Sequence, residues 1–163
     1  MKKAIFIDAV PDDLTVTYEF PERANRRPLA PYRFLSSEDH RFLSGQDKNK
    51  IMFSELDLER IEQAIAYTLK HHTNHISPEA LSLEVNLSVP KLQAGLRMRT
   101  GYSLHKYLEQ VRIRSSMNLL EETNMPLKAI ASRVGFKTHS HFGEVFKKLA
   151  NMPPSEYRRQ YRN

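Results

Sequence analysis

Between residues 54 and 72, SELDLERIEQAIAYTLKHH, apolar side chains fall at Leu58, Ile61, Ile65 and Leu69. Steps of three and four place them on one face of an α-helix, and Ser54 stands where an N-cap belongs. Residues 103–123, SLHKYLEQVRIRSSMNLLEET, predict a second amphipathic helix with a stripe of Leu104, Leu108, Val111, Ser115 and Leu119, weakened at Ser115. The first fifty residues read differently. KAIFIDA and LTVTYEF are β-prone and flank Val10-Pro11-Asp12-Asp13, a hairpin turn, before the Pro/Arg-rich PERANRRPLAPYRF and the linker-like SSEDHRFLSGQDKNK. A two-stranded hairpin is marginal alone and must pack on the helical body or on another copy.

A repeat lies between and after the two long helices. Residues 79–107 and 128–157 align with an offset of 49 at Ala80/Ala129, Leu81/Ile130, Val85/Val134, Asn86/Gly135 and Leu87/Phe136. One extra residue then shifts the offset to 50 through Leu92/Phe142, Leu96/Phe146, Gly101/Asn151, Ser103/Pro153 and Tyr107/Tyr157. The pairs Asn86/Gly135 and Gly101/Asn151 use the two residue types that enter left-handed backbone at least cost. The first of each copy suits a sharp turn between helices, and the second suits a helix C-terminal stop. Ser77-Pro78, Ser88 and Thr138 supply start signals, and Met125-Pro126 a less clear one. Helix, tight turn, helix, stop is the plan of a helix-turn-helix unit. The expected units are 77–100 and 126–150, joined by the 103–123 helix. A helix of about 20 residues spans about 30 Å, close to the roughly 34 Å between successive major-groove faces of duplex DNA.

Charge agrees with a polyanionic partner. The chain carries a formal +6, but residues 85–163 hold fourteen Lys/Arg against five Asp/Glu, whereas residues 51–84 hold two against six. A basic half beside an acidic one favours phosphate contact through counterion release, although a solvated basic surface would look the same by charge alone. The absence of cysteine excludes thiol catalysis, disulfides and cysteine-containing zinc motifs. No apolar run reaches the length of a membrane span, and the apolar stretch after the N-terminal lysines is short and broken by Asp8, so a cytoplasmic, nucleoid-associated protein is expected. No carboxylate pair, nucleophile triad or phosphate-cradling glycine loop is present, and no enzyme or cofactor is expected.

The residues TGYSLHKYLEQVRIRSSMNLLEETNMPLKAIASRVGFKTHSHFGEVFKKLANMPPSEYR resemble the DNA-binding domain of AraC/XylS-type regulators. The resemblance covers about 58–162 and rests on T-G-x-S, Y-L, R, L-L, I-A, V-G-F, F-x-x-x-F-K-K and P-S-x-Y-R at fixed spacings. It implies a mainly α, seven-helix domain, here 54–163, with two helix-turn-helix motifs acting on promoters, usually as an activator. It places the recognition helices at about 88–100 and 138–150. Family patterns are left at Pro90, Ala94, Glu144 and Asn151, where relatives carry tryptophan, arginine, arginine or another polar residue, and glycine. A large sensor domain often precedes this domain; residues 1–53 are too few for one. They would serve as a dimerisation element, making the protein a weak homodimer rather than a monomer, as a DNA-following arm through Arg23, Arg26 and Arg27, or as a contact for another regulator; monomer and weak homodimer both stand as expectations.

The exposed first turns of a recognition helix meet bases. In the second unit these positions are His139, Ser140, His141 and Glu144; in the first they are Val89, Lys91, Gln93 and Arg97. Histidine can donate to guanine or phosphate, and Glu144 can accept from cytosine N4. Phosphate contacts are expected from Ser77, Ser88, Arg99, Ser103, Thr138, Lys147 and Lys148, with Arg158, Arg159 and Arg162 as a basic tail. Arg112 fits an internal pair as well as a DNA contact. No metal site is expected: His139 and His141 point about 200° apart on a helix, and His71 and His75 lack a clear third ligand. Double-stranded promoter DNA is the expected partner, with RNA polymerase a further one. The competing function is a protein-interaction module that keeps the scaffold and binds polymerase or another regulator through the N-terminal arm and acidic first helix.

Overall fold

The computed structural model describes residues 51–162, and the expected hairpin and arginine arm lie outside them. The described residues form seven helices and no strand: α1 Glu55–His71, α2 Pro78–Glu84, α3 Val89–Thr100, α4 Leu104–Glu122, α5 Leu127–Arg133, α6 His139–Ala150 and α7 Pro154–Tyr161. Local chemistry sets several starts. The Ser54 hydroxyl accepts from the Asp57 amide at 3.1 Å while the Ser54 amide donates to the Asp57 carboxylate at 2.9 Å, a reciprocal capping box. Ser77 Oγ accepts from the Ala80 amide, with Pro78 in the first turn, and Thr138 Oγ1 accepts from the His141 amide. Ser88 and Ser103 occupy N-cap positions without a side-chain cap bond.

Four described residues have positive φ: Asn86 at 52°, Gly101 at 75°, Gly135 at 92° and Asn151 at 59°. Asn86 and Gly135 turn the chain between the helices of each pair. Gly101 and Asn151 end α3 and α6 in the left-handed region.

Two cores result. Ile61, Ala64, Ile65, Leu81, Val85, Leu92 and Leu96 form the first with Leu104 and Leu108; Ile130, Val134, Phe136, Phe142 and Phe146 form the second with Ile113 and Leu120. Helix α4 therefore serves both. Its buried positions run Leu104, Tyr107, Leu108, then Ile113, Ser116 and Leu120, whereas Val111, Ser115 and Leu119 of the expected stripe are half-buried. The stripe changes face because the helix changes partner, from α1 and α3 to α5, α6 and α7. Buried Ser116 satisfies its hydroxyl on the Ile113 carbonyl at 2.7 Å.

Candidate nucleic-acid interface

Helix α6 is fixed by one aromatic column. Phe136, Phe142, Phe146 and Tyr157 contact edge-to-face in succession, with centroids 5.4–5.7 Å apart. Val145 is buried beside them. Burial of that side turns His139, Ser140, Glu144, Lys147 and Lys148 to solvent. His141 is also exposed, but its Nε2 lies 3.5 Å from Oε1 of Glu109, a buried α4 carboxylate, and its ring meets Phe136 edge-on at 5.5 Å. Glu109 also accepts from Lys106 at 2.7 Å and faces His105 Nε2 at 3.1 Å. The two histidines of HSH therefore differ. His139 stands at the helix start facing solvent, and His141 leans back onto α4.

In the first unit, Leu92 and Leu96 anchor α3, and Gly95 permits its close approach to α1: a Cβ there would overlap the Ile61 side chain. Pro90, Gln93 and Arg97 are exposed on α3, and Val89 is half-buried. Two residues of the expected DNA surface form ion pairs with α1. Lys91 Nζ lies 2.6 Å from Asp57 Oδ2, and Arg99 Nε lies 2.9 Å from Glu62 Oε1. Acidic side chains on α1 hold these two cations in ion pairs because α1 packs on α3. The Lys91 hydrogen bond, followed by the Ser54 amide, lowers the Asp57 carboxyl from 3.8 to about 2.

Equivalent surfaces of the two units carry opposite charge. On α5, Lys128 and Arg133 are exposed; their repeat counterparts on α2 are Glu79 and Glu84, also exposed. With Lys137, the second unit gains three exposed cations that helix-face reasoning about α6 alone passes over. The repeat offset contained the signal. Of the basic tail, Arg158 donates to the Met125 carbonyl, leaving Arg159 and Arg162 exposed. Arg112 is an internal link, donating to the carbonyls of His72 and Asn74.

The expectation of no metal applied to the KHHTNH stretch as well. There His71 packs against the Tyr67 ring and His72 Nδ1 contacts the Leu69 carbonyl. Among the described residues no cluster of three metal-ligand side chains occurs, and no helix is long and apolar enough to cross a membrane.

Two helix-turn-helix units on one shared helix, each presenting an exposed helix face, define the tandem helix-turn-helix class. Comparison with known proteins agrees. Residues 81–160 match a family model described as a helix-turn-helix domain. The chain is 27% identical over 99 residues to the HTH-type transcriptional activator RhaS of Salmonella schwarzengrund and 28% identical to that of Klebsiella pneumoniae. Each match covers 61% of this chain and 36% of the relative, so the chain spans about a third of the curated relatives' length. Among solved structures, the C-terminal domain of AraT, a response regulator from Geobacillus stearothermophilus, superposes with a TM-score of 0.62 at 29% identity, covering 68% of this chain and 91% of that one. The DNA-binding domain of AdpA, solved with a target DNA, shares the fold at a TM-score of 0.60 and 22% identity, covering 63% of this chain and 92% of that one. The seven-helix domain resembles the DNA-binding domains of AraC/XylS-type regulators in sequence and in fold.

Proposed function

We propose that this protein is a sequence-specific double-stranded DNA-binding transcription regulator, acting as an activator, whose α3 and α6 enter adjacent major grooves. The observation that carries this reading is α6: one side is locked by the aromatic column, and the other exposes His139, Ser140, Glu144, Lys147 and Lys148. The family resemblance, the target DNA of the AdpA domain and the activator name of the RhaS relatives support it. Residues 54–163 are assigned as the DNA-binding domain and 1–53 as an extension, with units at 77–100 and 126–150 and the linker helix at 103–123.

Within this reading His139, Ser140 and Glu144 read bases from α6, and Gln93 and Arg97 read from α3 with Val89 as an apolar contact. His141 contributes at the edge of the groove. Lys147, Lys148, Lys128 and Arg133 meet phosphates. The hydroxyls of Ser77 and Thr138 accept within their own caps and keep a proton to donate; those of Ser88 and Ser103 have no cap bond. The second unit is the stronger anchor, since cations of the first are held by α1.

A protein partner, RNA polymerase, is assigned to α2, where Leu83 is 82% exposed between Glu79 and Glu84. Weak pairing of two copies is assigned to residues 1–53. The protein works at the cytoplasmic nucleoid without catalysis of its own. Selection of genomic duplexes by the purified protein tests the central reading: enriched fragments should share one motif. With four to six phosphate contacts, log affinity should fall against log salt with a slope of about −4 to −5. Equal competition by random duplex would overturn it.

A further inference from the structure

The two units are joined by more than a helix. From the middle of α4, Arg112 Nε donates to the His72 carbonyl at 2.7 Å and a terminal nitrogen donates to the Asn74 carbonyl at 2.8 Å. His72 caps the C-terminal end of α1, and Asn74 lies in the loop that follows. The same guanidinium sits over the ring of Phe136, 5.9 Å from its centroid, in the turn of the second unit. Beside it, Gly135 lies so close to the first unit that an added Cβ would stand 2.6 Å from the Thr73 carbonyl oxygen and 3.0 Å from Arg112 Nε. The end of α1, the middle of α4 and the turn before α6 thus meet at one side chain.

We infer that Arg112 is a positioning residue for DNA recognition: its clamp fixes the separation and rotation at which α3 and α6 can engage one duplex together. The planar guanidinium is suited to this because it directs several donors at once while stacking on a ring, which a lysine ammonium cannot do. Its acceptors are carbonyls at and beyond a helix C-terminus, where partners are scarce and positive charge is favoured. Burial pushes the Arg112 pKa down and nearby Glu109 opposes the shift; the group stays a cation at neutral pH. With the clamp in place, one inserted base pair, which shifts a half-site by about 3.4 Å and 34°, cannot be followed by either unit. Without it, the units are joined only by α4 and by the close approach of Gly135 to Thr73, and bending of α4 absorbs part of that shift.

The consequence for DNA rests on the proposed function, whereas the clamp stands on geometry, so two readouts are used. The chain has no cysteine, so Glu84→Cys with Ser132→Cys gives two exposed spin-label positions, one on each unit. The label-to-label distance distribution of the full chain should be narrow and should broaden in Arg112→Met, less so in Arg112→Lys. On the selected duplex and a version with one base pair inserted between half-sites, Arg112→Met should lower the affinity ratio by roughly tenfold, the scale of lost charged hydrogen bonds. Arg112→Lys should restore part of that ratio. An unchanged distance distribution in both variants overturns the clamp, and an unchanged ratio with broadened distances overturns its role in recognition. If the protein selects no duplex, the proposed function fails while the distance measurement still decides the clamp. If Arg112→Met does not fold, the lysine variant carries both readouts.

Discussion

Replacing Gly135 by alanine adds one methyl group where two separate physical demands exclude it. At φ +92° an L-residue carries a backbone cost of about 1–2 kcal/mol. The methyl would also stand 2.6 Å from a backbone carbonyl oxygen, which cannot swing aside as a flexible side chain could. Such overpacking costs about 1–3 kcal/mol, and the restricted unfolded chain of alanine offsets about 0.4–1 kcal/mol. The net loss is roughly 2–4 kcal/mol, a large part of the 5–15 kcal/mol that typically holds a domain folded. Two other glycines separate the contributions. Gly101→Ala meets the positive φ of +75° with nothing within 4 Å, and should cost about 1 kcal/mol. Gly143→Ala, inside α6 with open space around it, should stabilise by about 0.5–1 kcal/mol. Urea unfolding at unchanged slope measures all three, with the Gly135 midpoint expected to fall by roughly 1–2 M. A Gly135→Ala loss no greater than that of Gly101→Ala would refute the close contact between units.

Other outcomes can be measured on the same protein. Lys147→Ala should weaken binding to all duplexes alike and reduce the salt slope by about one, while Glu144→Gln should relax preference at particular base pairs; uniform loss from Glu144→Gln would mean it reads nothing. Arg97→Ala should alter the selected motif or lower affinity, whereas Lys91→Ala should leave the motif intact and instead lower thermal stability. The folded Asp57 carboxyl titrates at about 2 rather than 3.8, so its contribution is complete above about pH 4 and is lost as pH falls toward 2. Acid titrations of stability should therefore be flatter in that window for Asp57→Asn, and identical profiles would show that the Lys91 pair does not form.

Much of the fold was legible because it depends on local pattern. The face of α1 could be read from Ile61 and Ile65, since that helix meets one core along its length. The turns could be read at Asn86, Gly101, Gly135 and Asn151, because few residue types tolerate positive φ. The buried line of α4 was missed beyond Leu108, because a single period assumes a single core. Exposure of His139, Ser140 and Glu144 followed from the inward turn of Phe142 and Phe146. The ion pairs of Lys91 and Arg99 with α1 were not legible. Their acidic partners lie on α1, 34 residues away in the case of Asp57, and only packing brings them together. Arg112 was ambiguous for the same reason: its acceptors are main-chain carbonyls, which leave no mark in a sequence.

The shared helix also constrains how such a chain can change length. From Asn86 to Gly101 is fifteen positions and from Asn151 back to Gly135 sixteen, so the duplicated modules have tolerated a one-residue difference. Helix α4 has no such freedom between Leu108 and Ile113, where its two hydrophobic allegiances change over. A residue gained or lost there would swing everything downstream by about 100°. Insertions among descendants of this chain should consequently accumulate in the connecting bends, and the strut itself should stay constant in length.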